Sequence, residues 1–375
     1  MSKSKKIVLL ASSKSFLDSR KQLISRLVAS GHHVSCIVPD SLLESPFNDY
    51  GAEFYGIPLQ KSGLNPVSDL LFLLKLVKFF ARLKPDLVLG YTIKPVIYGC
   101  LAARLTNVKD LFAVIPGLGY AFGKDSKHQR LAGYLARKLY RQALKFCKKV
   151  IFQNPDDLNE FLSLRIVRNE QCLLVNGSGV DLEYFSLTPP PQNSAPVFVL
   201  IARMLKEKGI MEFLAAAKEI RNEFPLVGFK LIGPCENGPS AIEEEKIKKI
   251  SQENNVDYLG RTSDVRPFLV EGSVFVLPTY YREGVPRIIL EALATGRAII
   301  TTDMPGCRET VVNDENGFLI KPRSVDSLVD AMKKFINDQS LAVRMGKKSR
   351  KLAEEKFDVH RVNDVMLQQL GLVES

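Results

Sequence analysis

Tryptophan is absent from the 375 residues, and histidine occurs only four times. Two of the histidines are neighbours, His32 and His33, and the four make neither H-E-x-x-H nor a zinc spacing, so no protein metal site is signalled. The six cysteines (36, 100, 147, 172, 235 and 307) contain no C-x-x-C pair. Such scattered thiols suit a reducing cytoplasm better than a disulfide framework. There is no D-x-D, so a carboxylate pair holding a metal–diphosphate is not expected. The lack of G-x-x-x-x-G-K-[ST] argues against a P-loop ATPase, and the lack of G-x-S-x-G against an α/β-hydrolase. Long apolar runs are missing too. "LLFLLKLVKFFARL" is broken by Lys75 and Lys78, so it does not read as a membrane span. Ile7–Ala11 is too short for a secretory h-region and is followed by charge at Lys14, so it reads as a first β-strand.

Acidic residues are scarce in one half only. Residues 1–180 hold 26 Lys and Arg against 13 Asp and Glu, whereas the remainder holds 26 against 28. A basic half suits a polyanion, an anionic membrane face or a phosphorylated ligand. Aromatic-rich stacking motifs are missing, which argues against nucleic acid as the partner.

What is present is a repeated alternation of short apolar run, turn and helical period. Strand-like runs include "KIVLLA" (6–11), "HVSCIVP" (33–39), "DLVLGY" (86–91), "LFAVIPG" (111–117), "KVIFQN" (149–154) and "CLLVNG" (172–177). The Pro-rich "TPPPQNSAP" (188–196) reads as a linker or exposed edge. The pattern then restarts with "VFVLIAR" (197–203), "FKLIG" (229–233), "VDYLG" (256–260), "VFVLPT" (274–279), "AIITTD" (298–303) and "GFLI" (317–320). Continuous apolar strands alternating with helices predict parallel sheets covered on both faces. Two such series predict an α/β chain of two doubly wound, Rossmann-like domains, 1–185 and 186–355, with a cleft between them as the default ligand site. A C-terminal helix in 356–375 packs on the second sheet or crosses back to the first domain.

Three stretches could carry chemistry. In "TYYREGVPRIILEALATG", Pro286 suits the first position of a helix, which places Glu283 in the loop before it. That helix start offers N–H groups and partial positive charge to a phosphate. Glu291 stands four residues after Arg287, so a helical ion pair is one reading. The helix is otherwise apolar, and a buried carboxylate needs a partner, so hydroxyls of a ligand are the other. In "LIARMLKEKGI", Arg203 and Lys208, with Lys206 as a third candidate, follow a strand. They are either solvated loop charges or cations set to grip a phosphate. "VIPGLGYAFG" departs from the dinucleotide fingerprint in spacing and lacks its downstream acid; Gly117 and Gly119 fit a turn that lets a substrate approach the backbone. Two basic amphipathic stretches, 69–84 and 124–149, are either core helices with a solvated face or surfaces for anionic lipid.

These strings resemble a known family. "EGVPRIILE" looks like the E-x7-E motif of the retaining glycosyltransferases of family 4, which have the two-domain GT-B architecture. "GRAIITTDMPGCRETV", "NGSGVDLEYF" and "IARMLKEKG" are similar to the segments around it in that family. "YTIKPVIYGCLAARL" and "IPGLGYAFG" resemble members acting on lipid-linked glycans. The resemblance implies that Glu291 holds the ribose hydroxyls of a UDP-sugar and that Glu283 contacts its sugar. Arg203 and Lys208 would neutralise the diphosphate, the backbone of Gly284 and Val285 would cap it, and Arg261 would lie by the base. Gly233, Pro286 and Arg287 complete the donor set, while Lys94, Gly117 and Gly119 are the acceptor-side candidates. Catalysis would fall to Glu283, Arg203 and Lys208, with no cofactor or metal. The acceptor would be a glycan on undecaprenyl diphosphate, met at the cytoplasmic face of the membrane through the basic half. A different acceptor, or a non-catalytic nucleotide-sugar-binding subunit, is the alternative. Two family features are missing: the glycine-rich loop after the first strand is "ASSKSFLDSR", and "YTIKP" stands where a histidine is often seen.

Overall fold

The structure, a computed structural model, describes residues 4–39, 51–60, 65–119, 122, 127–191, 195–236, 238 and 240–373. Tyr120, Ala121 and Gly123 of the glycine turn, Lys124 and Asp125 of the second basic stretch, and residues 192–194 of the Pro-rich stretch lie outside that set. Two compact units divide the chain: Met1–Ser178 with Arg361–Ser375, and Gly179–His360.

Among the described residues the first unit is built on seven strands, β1 (Lys6–Leu10), β2 (His33–Val38), β3 (Glu53–Gly56), β4 (Leu87–Tyr91), β5 (Asp110–Ile115), β6 (Lys149–Phe152) and β7 (Cys172–Leu174). Every pairing is parallel, in the order β3-β2-β1-β4-β5-β6-β7. Alternate residues supply two cores. Val8, Leu10, Val88, Ala113 and Ile115 face one, and Ile7, Leu9, Leu87, Leu89 and Val114 face the other. Helices α1 (Lys14–Asp18) and α2 (Lys21–Ala29) follow β1, so the stretch that replaces a glycine-rich loop is helical. Helix α3 (Pro66–Leu83) starts at an Asn65 cap, whose side chain accepts from the Ser68 N–H. It packs with α4 (Ile93–Leu105) and α5 (Lys127–Leu144) on the first core. A further helix, α6 (Pro155–Ser163), is capped by Asn154.

The second unit holds β8 (Val197–Ile201), β9 (Gly228–Ile232), β10 (Asp257–Tyr258), β11 (Val274–Leu277), β12 (Ala298–Thr302) and β13 (Gly317–Ile320). Its order is β10-β9-β8-β11-β12-β13, again with every pairing parallel. Phe198, Leu200, Val274 and Val276 pack against α7 (Ile210–Glu223), α8 (Glu244–Glu253) and α11 (Val325–Asn337). Val199, Ile201, Phe275 and Leu277 pack against α9 (Arg266–Glu271) and α10 (Arg287–Ala294). Burying each such side chain away from water contributes roughly 1.5–3 kcal/mol, which favours continuous apolar runs in these strands.

The order reverses between β8 and β11, and between β1 and β4. In open α/β sheets such reversals leave a crevice at the carboxyl ends of the strands. Helix α12 (Ser340–Leu352) continues through one π turn, Ala353–Phe357, to α13 (Val359–Gln369). The end of α13 puts Met366, Leu367 and Leu370 into the core of the first unit. The contact boundaries fall after Ser178 and His360. Phe185 belongs to the second core, and Val180 bridges Asp358.

Candidate functional site

At the carboxyl edge of the second sheet, the chain leaves β8 through Ala202 and Arg203 into a single 3-10 turn, Lys206–Lys208. Gly209 closes that turn with φ +75°, and a Cβ there would lie 2.2 Å from the Pro278 carbonyl oxygen, so only glycine lets the two loops meet. The second loop leaves β11 through Pro278, Thr279 and Glu283. Three bonds converge on the Glu207 carbonyl oxygen: Thr279 Oγ1 donates at 2.9 Å, and the N–H groups of Tyr280 and Tyr281 at 2.8 and 3.2 Å. The two loops flanking the sheet's reversal point are therefore tied together by backbone and hydroxyl bonds.

Across this tie, Lys208 Nζ donates to Glu283 Oε1 at 2.5 Å. Lys208 is buried, and Thr279 Oγ1 lies 3.4 Å from the same carboxylate oxygen. An ammonium has three donors, so one is used on Glu283 while the charge stays at the crevice. Arg203 sits on the rim, about half exposed, and pairs with Glu236 in the loop after β9 at 3.0 Å. Gly233, at the end of β9, has φ +145°, and a Cβ there would come within 1.7 Å of the Ala202 carbonyl oxygen. Its N–H donates to Gly260 O at 2.8 Å, which brings the loop carrying the exposed Arg261 to the same edge.

Pro286 is not the first helical residue, as expected from the sequence, but the cap. Its ψ is 115°, and α10 begins at Arg287. The carbonyl of Pro286 accepts from Ile289 at 3.0 Å, so the proline ends the loop one position earlier than its usual helical place. Gly284 is pressed from behind by Gly306, where φ is +79° and a Cβ would lie 1.2 Å from the Gly284 carbonyl oxygen. Inside α10, Ile289 through Ala294 are all buried. Glu291 is among them, yet Arg287 Nε donates to its Oε1 at 2.8 Å. The ion-pair reading thus holds, but with one end buried rather than on a solvated edge. Burial pushes the Glu291 carboxyl up to about 7 against the pull of Arg287, with Asp264 adding a smaller upward push.

The structure thus gathers Arg203, Lys208, Gly233, Arg261, Glu283, Gly284, Val285, Pro286, Arg287 and Glu291 along one carboxyl edge. Sequence reading passed over Thr279, Glu207 and Gly306. Thr279 and Glu207 have no motif of their own, because they act through bonds to loops. Gly306 was legible only as a glycine in "DMPGCR".

In the first unit, the equivalent edge carries Ser12 after β1 and Thr92 after β4, joined by a 2.9 Å bond between their hydroxyls. Thr92 has φ 69° and ψ 167°, a costly conformation for a β-branched residue. Gly117 and Gly119, after β5, have φ +147° and +57°. Lys94 is buried and turned inward, its Nζ 2.8 Å from Asp69 Oδ1 of α3. Among the described residues no helix is long and apolar enough to cross a membrane, and no cluster of His, Cys, Asp and Glu could hold a metal ion.

Residues 189–352 match the family Glycosyl transferases group 1, and residues 6–154 match the family Glycosyl transferase 4-like. The chain is 26% identical over 340 residues to an N,N'-diacetylbacillosaminyl-diphospho-undecaprenol alpha-1,3-N-acetylgalactosaminyltransferase of Campylobacter jejuni, covering 88% of each chain. It is 26% identical over 330 residues to the UDP-Gal:alpha-D-GlcNAc-diphosphoundecaprenol alpha-1,3-galactosyltransferase of Escherichia coli, covering 84% of this chain and 83% of that one. The structure of HepE from Anabaena in complex with UDP-glucose superposes with a TM-score of 0.77 at 16% identity, over 98% of this chain and 100% of that one.

Proposed function

The chain belongs to the glycosyltransferases, in their two-domain GT-B form, and is an enzyme; we propose that it moves a hexosyl or N-acetylhexosaminyl group, of GalNAc, Gal or Glc type, from a UDP-sugar to a sugar on undecaprenyl diphosphate. Configuration is retained, and transfer takes place at the cytoplasmic face of the membrane. The acceptor class is supported by the two curated relatives, whose names specify diphosphoundecaprenol-linked sugars.

The observation that carries the donor half is the Lys208–Glu283 pair at the reversal point of the second sheet, with Glu291 buried nearby in α10. Glu291 takes the ribose hydroxyls, which give a buried carboxylate the donors it needs. Lys208 and Arg203 neutralise the diphosphate as charge develops on it, and the start of α10 with the backbone of Gly284 and Val285 adds to that field. Glu283, steadied by Lys208 and Thr279, contacts the sugar. The departing phosphate accepts the acceptor's proton, so no separate base is needed. With cations from side chains at the diphosphate, transfer runs without a metal. Gly117 and Gly119 bring backbone to the acceptor in the first unit.

The test is a screen of UDP-sugars against an undecaprenyl-diphosphate-linked sugar, read by mass. The reading predicts a product heavier by one hexose or N-acetylhexosamine with release of UDP. No product from any UDP-sugar, or transfer from a purine nucleotide sugar alone, would refute it.

A further inference from the structure

The loop between β10 and α9, residues 259–265, holds neither helix nor strand, and Arg261 and Ser263 on it are exposed. Its shape rests on what its side chains bond to. Thr262 Oγ1 donates to the Asp264 carbonyl oxygen at 2.7 Å and accepts from the Asp264 N–H at 3.1 Å. Arg266, the first residue of α9, grips the Asp264 carboxylate through two nitrogens. Its Nε lies 2.9 and 3.1 Å from the two oxygens and its Nη2 2.7 Å from Oδ2, while its backbone N–H donates to Oδ1 at 3.0 Å. The side-chain bonds from Arg266 hold the Asp264 carboxyl below its ordinary range, so it stays ionised. The guanidinium also lies over the Tyr184 ring, 4.0 Å from its centre. Tyr184 is set in turn by its neighbours: its N–H donates to Asp181 Oδ1 at 2.9 Å, and Phe185 beside it belongs to the second core. All of these residues are in the second unit.

The Arg266 and Asp264 side chains are 41% and 37% exposed. Exposed ion pairs add little to stability, and the exceptions are bidentate pairs built into a larger network. This pair is bidentate, anchored to the backbone and stacked on a ring, so it fixes a loop rather than the fold. Two contacts place that loop beside the donor site. The Gly233 N–H, at the end of β9, donates to Gly260 O at 2.8 Å. Burial and then Arg287 act most strongly on the Glu291 carboxyl, and Asp264 is the next group to reach it, pushing it up. Glu291 is the residue assigned to the ribose hydroxyls. A base hangs on the same ribose ring, so a loop within electrostatic reach of Glu291 is also within reach of the base.

We propose that Arg266, clamped on Asp264 and stacked on Tyr184, is a positioning residue that fixes the 260–265 loop against the base of the donor and so sets the preference for uracil over a purine. Uracil and purines differ in size and in the donors and acceptors along their edges. A site tells them apart only when its own groups are held in place. Arg266 acts through Asp264 and Thr262, and its charge is already taken by the Asp264 carboxylate. The proposal rests on the UDP-sugar reading above and deepens its donor half.

The experiment is calorimetric titration of the full chain with UDP, ADP and inorganic pyrophosphate. The wild type is expected to bind UDP most tightly. Arg266→Ala should weaken UDP about tenfold or more, narrow the UDP-to-ADP ratio by a similar factor and leave pyrophosphate within about twofold of wild type. Tyr184→Phe keeps the ring and should match the wild type, whereas Tyr184→Ala should follow Arg266→Ala. Both positions are exposed, so melting temperatures should stay near wild type. Should Arg266→Ala melt early, Tyr184→Ala carries the test. An equal loss for UDP and pyrophosphate overturns the proposal, because Arg266 would then be a phosphate-side charge alone. A wild type that binds no UDP overturns the donor reading and the clamp with it. UDP binding by the wild type, with an unchanged UDP-to-ADP ratio in the folded variants, overturns the clamp alone.

Discussion

Glu291 shows how one residue's surroundings decide its meaning. Its string made an ion pair and a ligand contact equally natural, and the structure contains the pair with Arg287 at 2.8 Å while burying the carboxylate. Burial raises its pKa from 4.5 to about 7. The folded chain thus favours the protonated form. This group's contribution to stability is fully present below about 4.5 and is lost as pH rises toward about 7. Melting curves of the ligand-free protein between these values should fall with pH, and Glu291→Gln should flatten that part of the slope. Ribose hydroxyls donate to the ionised form, so UDP should bind more tightly as pH rises to about 7 and should release a proton below it. Calorimetry in buffers of different ionisation heat reads that proton, with Glu291→Gln correcting for titration of the nucleotide itself. An unchanged proton count in the variant would remove the ribose from Glu291. For turnover, Arg203→Ala and Glu283→Ala should each lower kcat by about 100-fold or more; Arg203→Ala, on the half-exposed rim, should melt near wild type, whereas Glu283→Ala leaves the buried Lys208 ammonium without its carboxylate and should melt earlier. Activity close to wild type in both would dismiss their roles.

At the scale of elements, strands were the most legible feature. Among the described residues, twelve of thirteen strands coincide with apolar runs visible in the sequence, because most of them are buried on both faces and few polar residues interrupt the run. The exception is β3, "EFYG", an edge strand whose residues are only half buried. Helix α4 gives no periodic signal for the converse reason: most of its positions are buried, and Pro95 and Gly99 interrupt the pattern. Gly99 lets α4 lie close to β1: a Cβ there would come within 2.8 Å of Leu10 Cδ2, which would have to shift. The α3–α4 contact contains the Asp69–Lys94 pair, with both side chains about nine-tenths buried. Asp69→Ala leaves the Lys94 ammonium without its carboxylate and should destabilise the first unit by about 3–5 kcal/mol, as read by denaturant unfolding. A loss within about 0.5 kcal/mol would mean that Lys94 finds water instead. In the second unit, Gly306→Ala forces a methyl group onto the Gly284 carbonyl. It should displace the Glu283–Gly284 loop, costing more than about 1 kcal/mol in stability and most of the activity. Wild-type kinetics from that variant would show that the loop is not held by this contact.

Across the whole chain, the division of charge in the sequence has a structural counterpart. The basic half falls in the first unit, and the donor-site residues gather in the nearly neutral second half. The donor-site residues were readable because a cation after one strand and a carboxylate after another are fixed by parallel topology to the same edge. What could not be read is how the loops are locked. The convergence on the Glu207 carbonyl and the stop at Gly306 are tertiary contacts with no local pattern. A crystal soaked with UDP is the most direct measurement. The account predicts the diphosphate between Lys208, Arg203 and the backbone of Gly284 and Val285, with both ribose hydroxyls on Glu291. A nucleotide bound elsewhere, or none at saturating UDP, would contradict it.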